Sequence, residues 1–562
     1  MKRKLALLLA ATMVVGTLSA CGNSGGSNSG SDSGSSSSAA DSGTESGSGD
    51  TADAASSDTS DGGATVADGD RPTISFFDKN SGIKAFDDRI AIELQNRTGV
   101  NIDLISPTGD PGEKLSLMLA GQDYPDIVLM DRGSDIVNKY IEAGALVNLS
   151  EHMDKLPNVV EMYGDTLKKT RYTDGNNYYL SNWYGPDPDP VGGFIMRYDL
   201  MVEVVGQERA DSDEPFTFSE MVEVLKQFKE KFPTLEGKDS IAITIGAPGD
   251  SDNINGTFAG MWGMKTYYED GGKLYYRVRD PRYLEAMHAM NDLYTEGLLD
   301  KEWVTNKDDL KNQRLSAGNM FGYVGAYWDV WTPNASLNET VGEDANYLAY
   351  KVVADGVDPD ETTLGGRSSL GWDAIAITNN CENVDAALAF VDYCASQEGQ
   401  DLLLWGIEGE DYTIENGVHT PIGDIVERFK ADNTKMQEET GITRWTWFVR
   451  NANHEDGTPS RISMAIKDIT AQFAEKNLTN TYWDTAEFDN LVPTGNDPVA
   501  LKAQKLQDII KQAYPNMVNA SSAAEVDSIY EKMMSDLEAA GLEEVEEKVN
   551  ENYAERMEIW NQ

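Results

Sequence analysis

The sequence predicts an α/β fold made of more than one lobe, and three observations support this prediction. Segments with the apolar–polar alternation of strands are each followed by a segment with the periodicity of a helix. After a low-complexity N-terminal region, 492 residues follow that carry all eleven Trp. Apolar residues recur along this whole length, which is more than one hydrophobic core usually serves. We therefore expect at least two lobes.

The alternation is clearest between residues 71 and 131. The expected elements, in chain order, are a strand at 72–77, a helix at 85–98, a strand at 100–105, a helix at 113–120 and a buried strand at 126–130. Such an order implies right-handed crossovers and a mostly parallel sheet with helices on both faces. Ligands of such sheets bind beyond the carboxyl ends of the strands.

The N-terminus has the pattern of an export signal. Lys2, Arg3 and Lys4 precede an apolar stretch at 5–16 that is too short for a permanent membrane span. The segment 18–21, Leu-Ser-Ala-Cys, resembles the lipobox of bacterial lipoproteins. The resemblance implies a signal peptide over residues 1–20 and a diacylated Cys21 as the mature N-terminus. An ordinary secretory signal with a chance Cys is the alternative.

Residues 21–70 form the expected lipidated Cys and its tether. From Gly22 to Asp70 the chain is almost entirely Ser, Gly, Asp, Ala and Thr, without aromatic residues, Lys or Arg. This composition buries too little apolar surface to offset the entropy of ordering. A flexible chain of this length spans about 35 to 40 Å on average. A glycosylated, mucin-like stalk is the alternative.

The formal net charge of −49 restricts the partners. Nucleic acids and anionic lipid headgroups need basic patches, so neither is expected as a partner. The simplest role of an acidic surface is solubility. No later stretch reaches about 18 consecutive apolar residues, so we expect membrane contact through the lipid anchor only.

Cys381 and Cys394 are expected to be buried and unpaired. Asn383 has the character of a helix N-cap, which places Cys394 about 16 Å along the helix from it. Bridged cysteines need Cα atoms within about 7 Å.

The common catalytic motifs are absent from the sequence. The four His form no HExxH or Cys/His pattern, and after the low-complexity region there is no GxSxG elbow or phosphate-binding loop. The loop 250–256 lacks the spacing of an EF-hand, so a plain turn is expected there. We expect no metal among the site residues and no cofactor, and whether a structural metal is bound stays open. A glycosidase remains an alternative because its two carboxylates have no local motif.

Five segments in order resemble one family. They are Gly121–Val128, Asp280–Met287, Leu293–Leu299, Gly371–Thr378 and Trp405–Tyr412. Together they are similar to the family 1 extracellular solute-binding proteins, in particular the long lipoprotein branch of Gram-positive bacteria. The order of the segments carries the resemblance, which covers about residues 71–562.

The resemblance implies a two-lobed fold of the periplasmic-binding-protein-like type II class, with the ligand held in the cleft between the lobes. The first lobe would comprise about residues 71–183 and 371–444, and the second about 184–370 and 445–562. It also implies a monomer on the extracellular face of the bacterial cell membrane. This protein would capture an oligosaccharide and deliver it to the permease subunits of an ABC transporter, without enzymatic activity.

The candidate ligand-binding residues combine flat aromatic faces with polar groups, as a sugar requires. The aromatic candidates, placed where the family has cleft loops, are Trp183, Trp262, Tyr327, Trp328 and Trp372. The polar candidates, which could bind vicinal hydroxyls, are Asp78, Asp131, Arg132 and Asp373. Core packing, helix capping and surface ion pairing are the structural alternatives for these residues.

Two other functions stay open. The same scaffold could bind a peptide or another small solute, although a peptide would need paired charges for its two termini. A secreted glycoside hydrolase or a carbohydrate adhesin is the third possibility.

Overall fold

A computed structural model describes most of the chain after the low-complexity region. It covers residues 71–80, 85–185, 190–248, 253–431, 433–451, 454, 458–462, 468–493 and 497–561. The expected signal peptide, Cys21 and the tether lie outside the described residues, as does part of the 250–256 loop.

The described residues form the following regular elements. The strands are β1 (Thr73–Phe77), β2 (Asn101–Ile105), β3 (Ile127–Asp131), β4 (Leu180–Ser181), β5 (Trp183–Tyr184), β6 (Gly192–Arg197), β7 (Phe216–Thr217), β8 (Thr234–Leu235), β9 (Lys238–Asp239), β10 (Ile241–Thr244), β11 (Tyr267–Asp270), β12 (Lys273–Tyr276), β13 (Met320–Ala326), β14 (Tyr347–Tyr350), β15 (Val352–Val353), β16 (Gly365–Arg367), β17 (Asp373–Ile377), β18 (Tyr412–Glu415), β19 (Val418–Pro421), β20 (Val449–Arg450) and β21 (Tyr482–Asp484). The α-helices are α1 (Arg89–Thr98), α2 (Pro111–Gly121), α3 (Ile136–Glu142), α4 (Pro157–Tyr163), α5 (Thr166–Lys169), α6 (Tyr198–Val205), α7 (Gln207–Ala210), α8 (Phe218–Lys231), α9 (Asn253–Met261), α10 (Pro281–Thr295), α11 (Asp308–Leu315), α12 (Trp331–Thr340), α13 (Val384–Ala395), α14 (Gln397–Leu404), α15 (Ile425–Ala431), α16 (Asn433–Thr440), α17 (Ile469–Asn477), α18 (Pro498–Val518), α19 (Ala523–Ala540) and α20 (Leu542–Trp560).

The first lobe is built on a five-stranded sheet of order β2-β1-β3-β17-β4. Strands β1, β2 and β3 are parallel, while β17 runs antiparallel to β3 and to β4. The carboxyl ends of β1 and β3 therefore lie at the same edge as the first residue of β17. This arrangement brings the segments after residues 77 and 131 next to Asp373.

Helices α13 and α14 cover the first-lobe sheet. The sequence predicts one apolar helix over 386–405, but the structure has two helices here, because the first ends at Ala395. The side chain of Ser396 accepts from the backbone N–H of Gly399 and caps the start of the second helix. The N-cap role expected for Asn383 is confirmed, since its side chain accepts from the Ala386 amide. Trp405, the last residue of this predicted apolar helix and therefore an expected core residue, is fully buried. Cys381 and Cys394 are buried and free, which also confirms the prediction.

The second lobe has a four-stranded sheet of order β10-β13-β6-β14. Strands β10 and β13 are parallel, and β6 is antiparallel to both β13 and β14. The central strands β6 and β13 are buried along their whole length. At its carboxyl end β13 runs directly into the turn Tyr327–Val330.

The three C-terminal helices belong to the second lobe. Helix α18 packs on α10, α19 and α20. Their buried side chains, among them Met517, Leu537 and Val545, share one hydrophobic core with Phe194 of β6. The second lobe is therefore incomplete until the end of the chain is in place.

The chain passes between the two lobes three times. It leaves the first-lobe core after Tyr184, returns between Leu364 and Ile375, and leaves again between Ile462 and Phe473. The expected boundary at residue 444 is earlier than the observed one, because Trp445, Trp447 and Ile462 pack in the first-lobe core. Strand β20 explains this extension, since it pairs with β5 of the first lobe.

Among the helices that the structure describes, none combines the length and the apolar character needed to cross a membrane.

Candidate functional site

A buried carboxylate organises the edge of the first-lobe sheet. Asp373, the first residue of β17, is inaccessible to solvent and forms an ion pair of 2.7 Å with the Lys79 ammonium. The Asn80 amide donates to its other oxygen at 2.5 Å. Lys79 and Asn80 directly follow β1, so these contacts fix the end of β1 against the start of β17.

The other two aspartates at this edge also have internal partners. Asp78 is buried, and its carboxylate accepts from the indole N–H of Trp447 at 2.8 Å and from the backbone N–H of Asn80. Asp131 is half-buried, and its Oδ1 accepts from the Gly133 backbone at 2.8 Å. Asp131 is thus the most accessible of the three carboxylates predicted to contact ligand.

The stability of the protein should depend on the protonation of Asp373. Burial raises the pKa of this carboxyl to about 6, although Lys79 acts in the opposite direction. An unfolded Asp titrates near 3.9, so between about pH 4 and 6 the folded state binds more protons than the unfolded state. The free energy of unfolding should therefore fall by roughly 3 kcal/mol through this one group as the pH rises across that range.

Denaturant titrations at several pH values, on the wild type and on Asp373→Asn, measure this effect. The variant should lose that part of the pH dependence, whereas Asp131→Asn, which removes a nearby like charge that also raises the pKa of Asp373, should keep most of it. Identical profiles for wild type and Asp373→Asn would refute the assignment.

Arg132 joins the two lobes. Its guanidinium donates to the Gly371 carbonyl at 2.7 Å and forms a 2.7 Å ion pair with Asp489. Asp489 follows Phe488 of the second-lobe core, whereas Arg132 follows β3 of the first lobe. This predicted ligand contact is therefore engaged in an interlobe contact in the present conformation.

Two of the predicted aromatic residues lie together where the chain crosses. The rings of Trp183 and Trp372 are 5.0 Å apart, and the Arg461 guanidinium lies 4.3 Å from the Trp183 ring. Trp372 is 51% exposed, which is unusual for so large an apolar side chain. Gly371 has a positive φ of 61°, and a Cβ there would come within 2.5 Å of the Trp183 carbonyl oxygen. Glycine thus permits the close approach of the two crossing segments.

The second lobe places Tyr327 and Trp328 beside the same crossings. Both residues are half-buried in the turn after β13, with their rings 5.1 Å apart. The Arg367 guanidinium lies 5.0 Å from the Trp328 ring and donates to the Pro190 carbonyl. Since Arg367 and Pro190 belong to the second and first crossings, Trp328 lies where the two lobes meet.

Trp262 is placed differently. It is 4% exposed and packs against Phe218 and Phe258 in the second-lobe core. Its ring therefore supports the lobe from within, and we leave it out of the proposed set of ligand contacts.

A cavity of about 280 Å³ lies between the first lobe and the C-terminal helix. Arg132, Lys169, Tyr179, Arg556 and Trp560 are among the residues that line it. Burial lowers the pKa of Arg556, whose guanidinium donates to the carbonyls of residues 487 and 489. The volume of the cavity is close to the lower limit of about 300 Å³ for ligand pockets, and the residues that line the cavity offer aromatic faces and hydrogen-bond donors.

Sequence reasoning missed four residues of this region: Lys79, Arg367, Arg461 and Trp560. Lys79 could have been found, because it directly follows a predicted strand of the parallel sheet. The other three lie far along the chain from their partners, and no local pattern marks them.

Sequence comparison identifies the class of proteins to which this chain, with its two lobes and three crossings, belongs. Residues 89–405 match the model of the bacterial extracellular solute-binding protein family. The chain belongs to this family.

Curated relatives and a solved structure agree. The chain is 23% identical over 466 residues to the polygalacturonan/rhamnogalacturonan-binding protein YtcQ of Bacillus subtilis, covering 80% of this chain and 85% of that protein. It is 22% identical over 366 residues to the fructooligosaccharide ABC transporter substrate-binding protein FusA of Streptococcus pneumoniae, covering 62% and 66%. An HMO-binding solute-binding protein from Bifidobacterium longum infantis has the same fold, with a TM-score of 0.63, 18% identity and coverage of 86% and 99%. These relatives are binding proteins, and the two-lobed prediction is confirmed.

Proposed function

We propose that this protein captures an oligosaccharide outside the cell and delivers it to the permease subunits of an ABC importer. The observation that carries the proposal is the pair of aromatic surfaces at the crossings, Trp183 with Trp372 on one lobe and Tyr327 with Trp328 on the other, in a chain of the solute-binding family. The carbohydrate names of the relatives YtcQ and FusA support the same ligand class.

The chemistry of a sugar matches these surfaces. A pyranose or furanose ring has apolar C–H faces that pack on flat aromatic rings, and its hydroxyls bond to carboxylates and guanidinium groups at the ring edge. Asp131 and Arg132 provide such groups beside Trp372, because the Arg132 amide bonds to the Trp372 carbonyl. Asp78 and Asp373 already have partners within the protein, Trp447 and Lys79. We therefore propose that these two carboxylates support the binding surface and do not contact the ligand themselves.

Ligand capture should close the two lobes about the crossings near Trp183 and Gly371. A ligand held between the lobes contacts both only when they approach, so it shifts the population toward the closed form. The contact between Arg132 and Asp489 lies across this boundary and would be rearranged by the motion.

The location follows from the N-terminal sequence. A diacylated Cys21 would hold the protein on the outer face of the cell membrane, and residues 22–70 would leave the lobes free to reach both ligand and permease. We propose a monomer, and we propose that it has no enzymatic activity of its own.

A thermal-shift screen of the purified protein against a panel of oligosaccharides tests the proposal. A true ligand at 100 times its dissociation constant should stabilise the folded protein by about 2.7 kcal/mol. The same panel should include short peptides and free amino acids. Stabilisation by peptides alone would replace the proposed ligand class by the peptide alternative.

The hydrolase alternative is separated by analysing the oligosaccharides after long incubation with the protein. We expect them to be recovered intact. Shortened products that persist in a highly purified sample and are lost in a variant of an acidic cleft residue such as Asp131→Asn would contradict a pure binding function.

A further inference from the structure

Three side chains far apart in the sequence converge inside the first lobe. Asp401 lies in α14, His419 in β19, and His454 in the segment after β20. The Nε2 atoms of the two imidazoles are 3.6 Å and 3.7 Å from the same oxygen, Oδ1 of Asp401. One potential ligand atom from each residue lies within 4.8 Å of the others. Two of the four His of the whole chain therefore face one carboxylate.

The cluster is largely shielded from solvent. The side chains of His419, His454 and Asp401 are 7%, 8% and 14% exposed. The two imidazole rings are stacked, with their centroids 4.0 Å apart and an angle of 14° between their planes. The ring of Tyr412 is also stacked on the imidazole of His419. Trp405 packs against both imidazoles. Buried polar groups need partners, and two neutral imidazoles with one carboxylate provide a set of ligand atoms that a divalent cation can bind.

Further polar groups lie behind the converging atoms. The Thr458 hydroxyl oxygen is 3.4 Å from Nδ1 of His419 and can accept a hydrogen bond from an Nδ1–H group. In that tautomer Nε2 carries the lone pair that would coordinate a metal. The Gln397 side-chain nitrogen lies 3.1 Å from Nδ1 of His454 and donates to Oδ1 of Asp401 at 3.0 Å. For His454 to coordinate through Nε2, this amide must turn so that its oxygen accepts from the Nδ1–H group.

We propose that Asp401, His419 and His454 form a binding site for a first-row divalent metal ion, with Zn²⁺ as the ion that suits these ligands best. Zinc binds imidazole nitrogen and carboxylate oxygen at about 2.0 to 2.2 Å, so tetrahedral ligand atoms lie about 3.4 Å apart. The two observed separations need to shorten by only a few tenths of an ångström. The imidazole rings must also turn from their near-parallel arrangement until both Nε2 lone pairs point to one ion, and a water molecule would complete the coordination.

The role of such a site is structural. It would fasten α14, the hairpin of β18 and β19, and the segment that carries His454 to one another. Seven residues later this segment provides Arg461, which lies over Trp183 at the crossing. Metal binding would therefore fix the approach to the third crossing, while the ligand itself binds elsewhere.

Zinc titration of the tag-free folded protein tests the site. We expect one equivalent of Zn²⁺ per chain by calorimetry, an increased melting temperature with Zn²⁺, and loss of both effects in His419→Gln and in His454→Gln. The matched control is His288→Gln, since His288 lies on the surface with Asp527 and should leave zinc binding unchanged. Removal of Thr458 as a supporting group, in Thr458→Val, should weaken binding about tenfold.

Substitution with Co²⁺ reports the coordination directly, because a tetrahedral site with nitrogen ligands gives an intense visible absorption. This absorption should be lost on acidification, since protonated imidazole cannot bind a metal. Zinc stoichiometry that is equal in wild type and both His variants would overturn the proposal, as would absence of binding at micromolar Zn²⁺. Neither outcome depends on the sugar, so the test is independent of the proposed transport function.

Discussion

Trp372→Ala should weaken oligosaccharide binding about thirtyfold or more, and the protein should remain folded. The loss of a buried aromatic contact at a binding surface costs about 2 kcal/mol or more. Because half of this side chain is exposed in the free protein, its removal leaves little cavity and should change the free energy of unfolding far less. Titration calorimetry and thermal unfolding of the same variant measure both quantities.

Two further variants sharpen this test. Trp372→Phe keeps a flat apolar face and should retain most of the affinity. Trp328→Ala removes the aromatic face of the other lobe and should also cost about 2 kcal/mol, because a ligand held between two lobes needs both. If Trp328→Ala binds normally while Trp372→Ala does not, the ligand rests on the first lobe alone. Unchanged affinity in both folded variants would defeat the proposed binding surface.

Cys21→Ala should move the protein from the membrane fraction to the medium. Each buried CH₂ of an acyl chain contributes about 0.8 kcal/mol to membrane binding, so two acyl chains give a stable attachment that is lost with Cys21. Fractionation of cells followed by immunoblotting measures the distribution, and mass spectrometry of the mature N-terminus identifies the acyl groups.

Cys381→Ala is the matched control for the anchor, since this thiol is buried in the first lobe and should have no influence on membrane attachment. A Cys21→Ala variant that stays wholly in the membrane fraction would rule out lipidation as the anchor. The alternative of an ordinary secretory signal predicts a wild-type protein that is already in the medium.

Local sequence patterns were sufficient for the elements of the first-lobe sheet. Strands β1, β2 and β3 begin and end within one residue of the expected positions, because alternation and flanking helices are local signals. The break at Ser396 was missed because the apolar periodicity continues across it, and only the capping contact of Ser396 ends the first helix.

The assignment of residues to lobes was harder than the assignment of elements. Trp445, Trp447 and Ile462 all pack in the first-lobe core, but an apolar side chain does not by itself specify which of two cores receives it. Trp262 illustrates the same limit, since a Trp signals a core and a sugar platform equally well. The cluster of Asp401, His419 and His454 could not be found from spacing, because its members come from three separate elements.

Each hydrophobic core includes residues that are far apart in the sequence, which determines when it can form during synthesis. The first-lobe core contains residues from Ile74 to Ile462, and the second-lobe core extends from Phe194 to Val549. The first-lobe core can form once the chain has been made as far as Ile462, but the second-lobe core needs almost the whole chain. Contacts between such distant residues form slowly, so we expect the second lobe to be completed last. The three crossings that join the lobes thus also set the order in which the two cores can be finished.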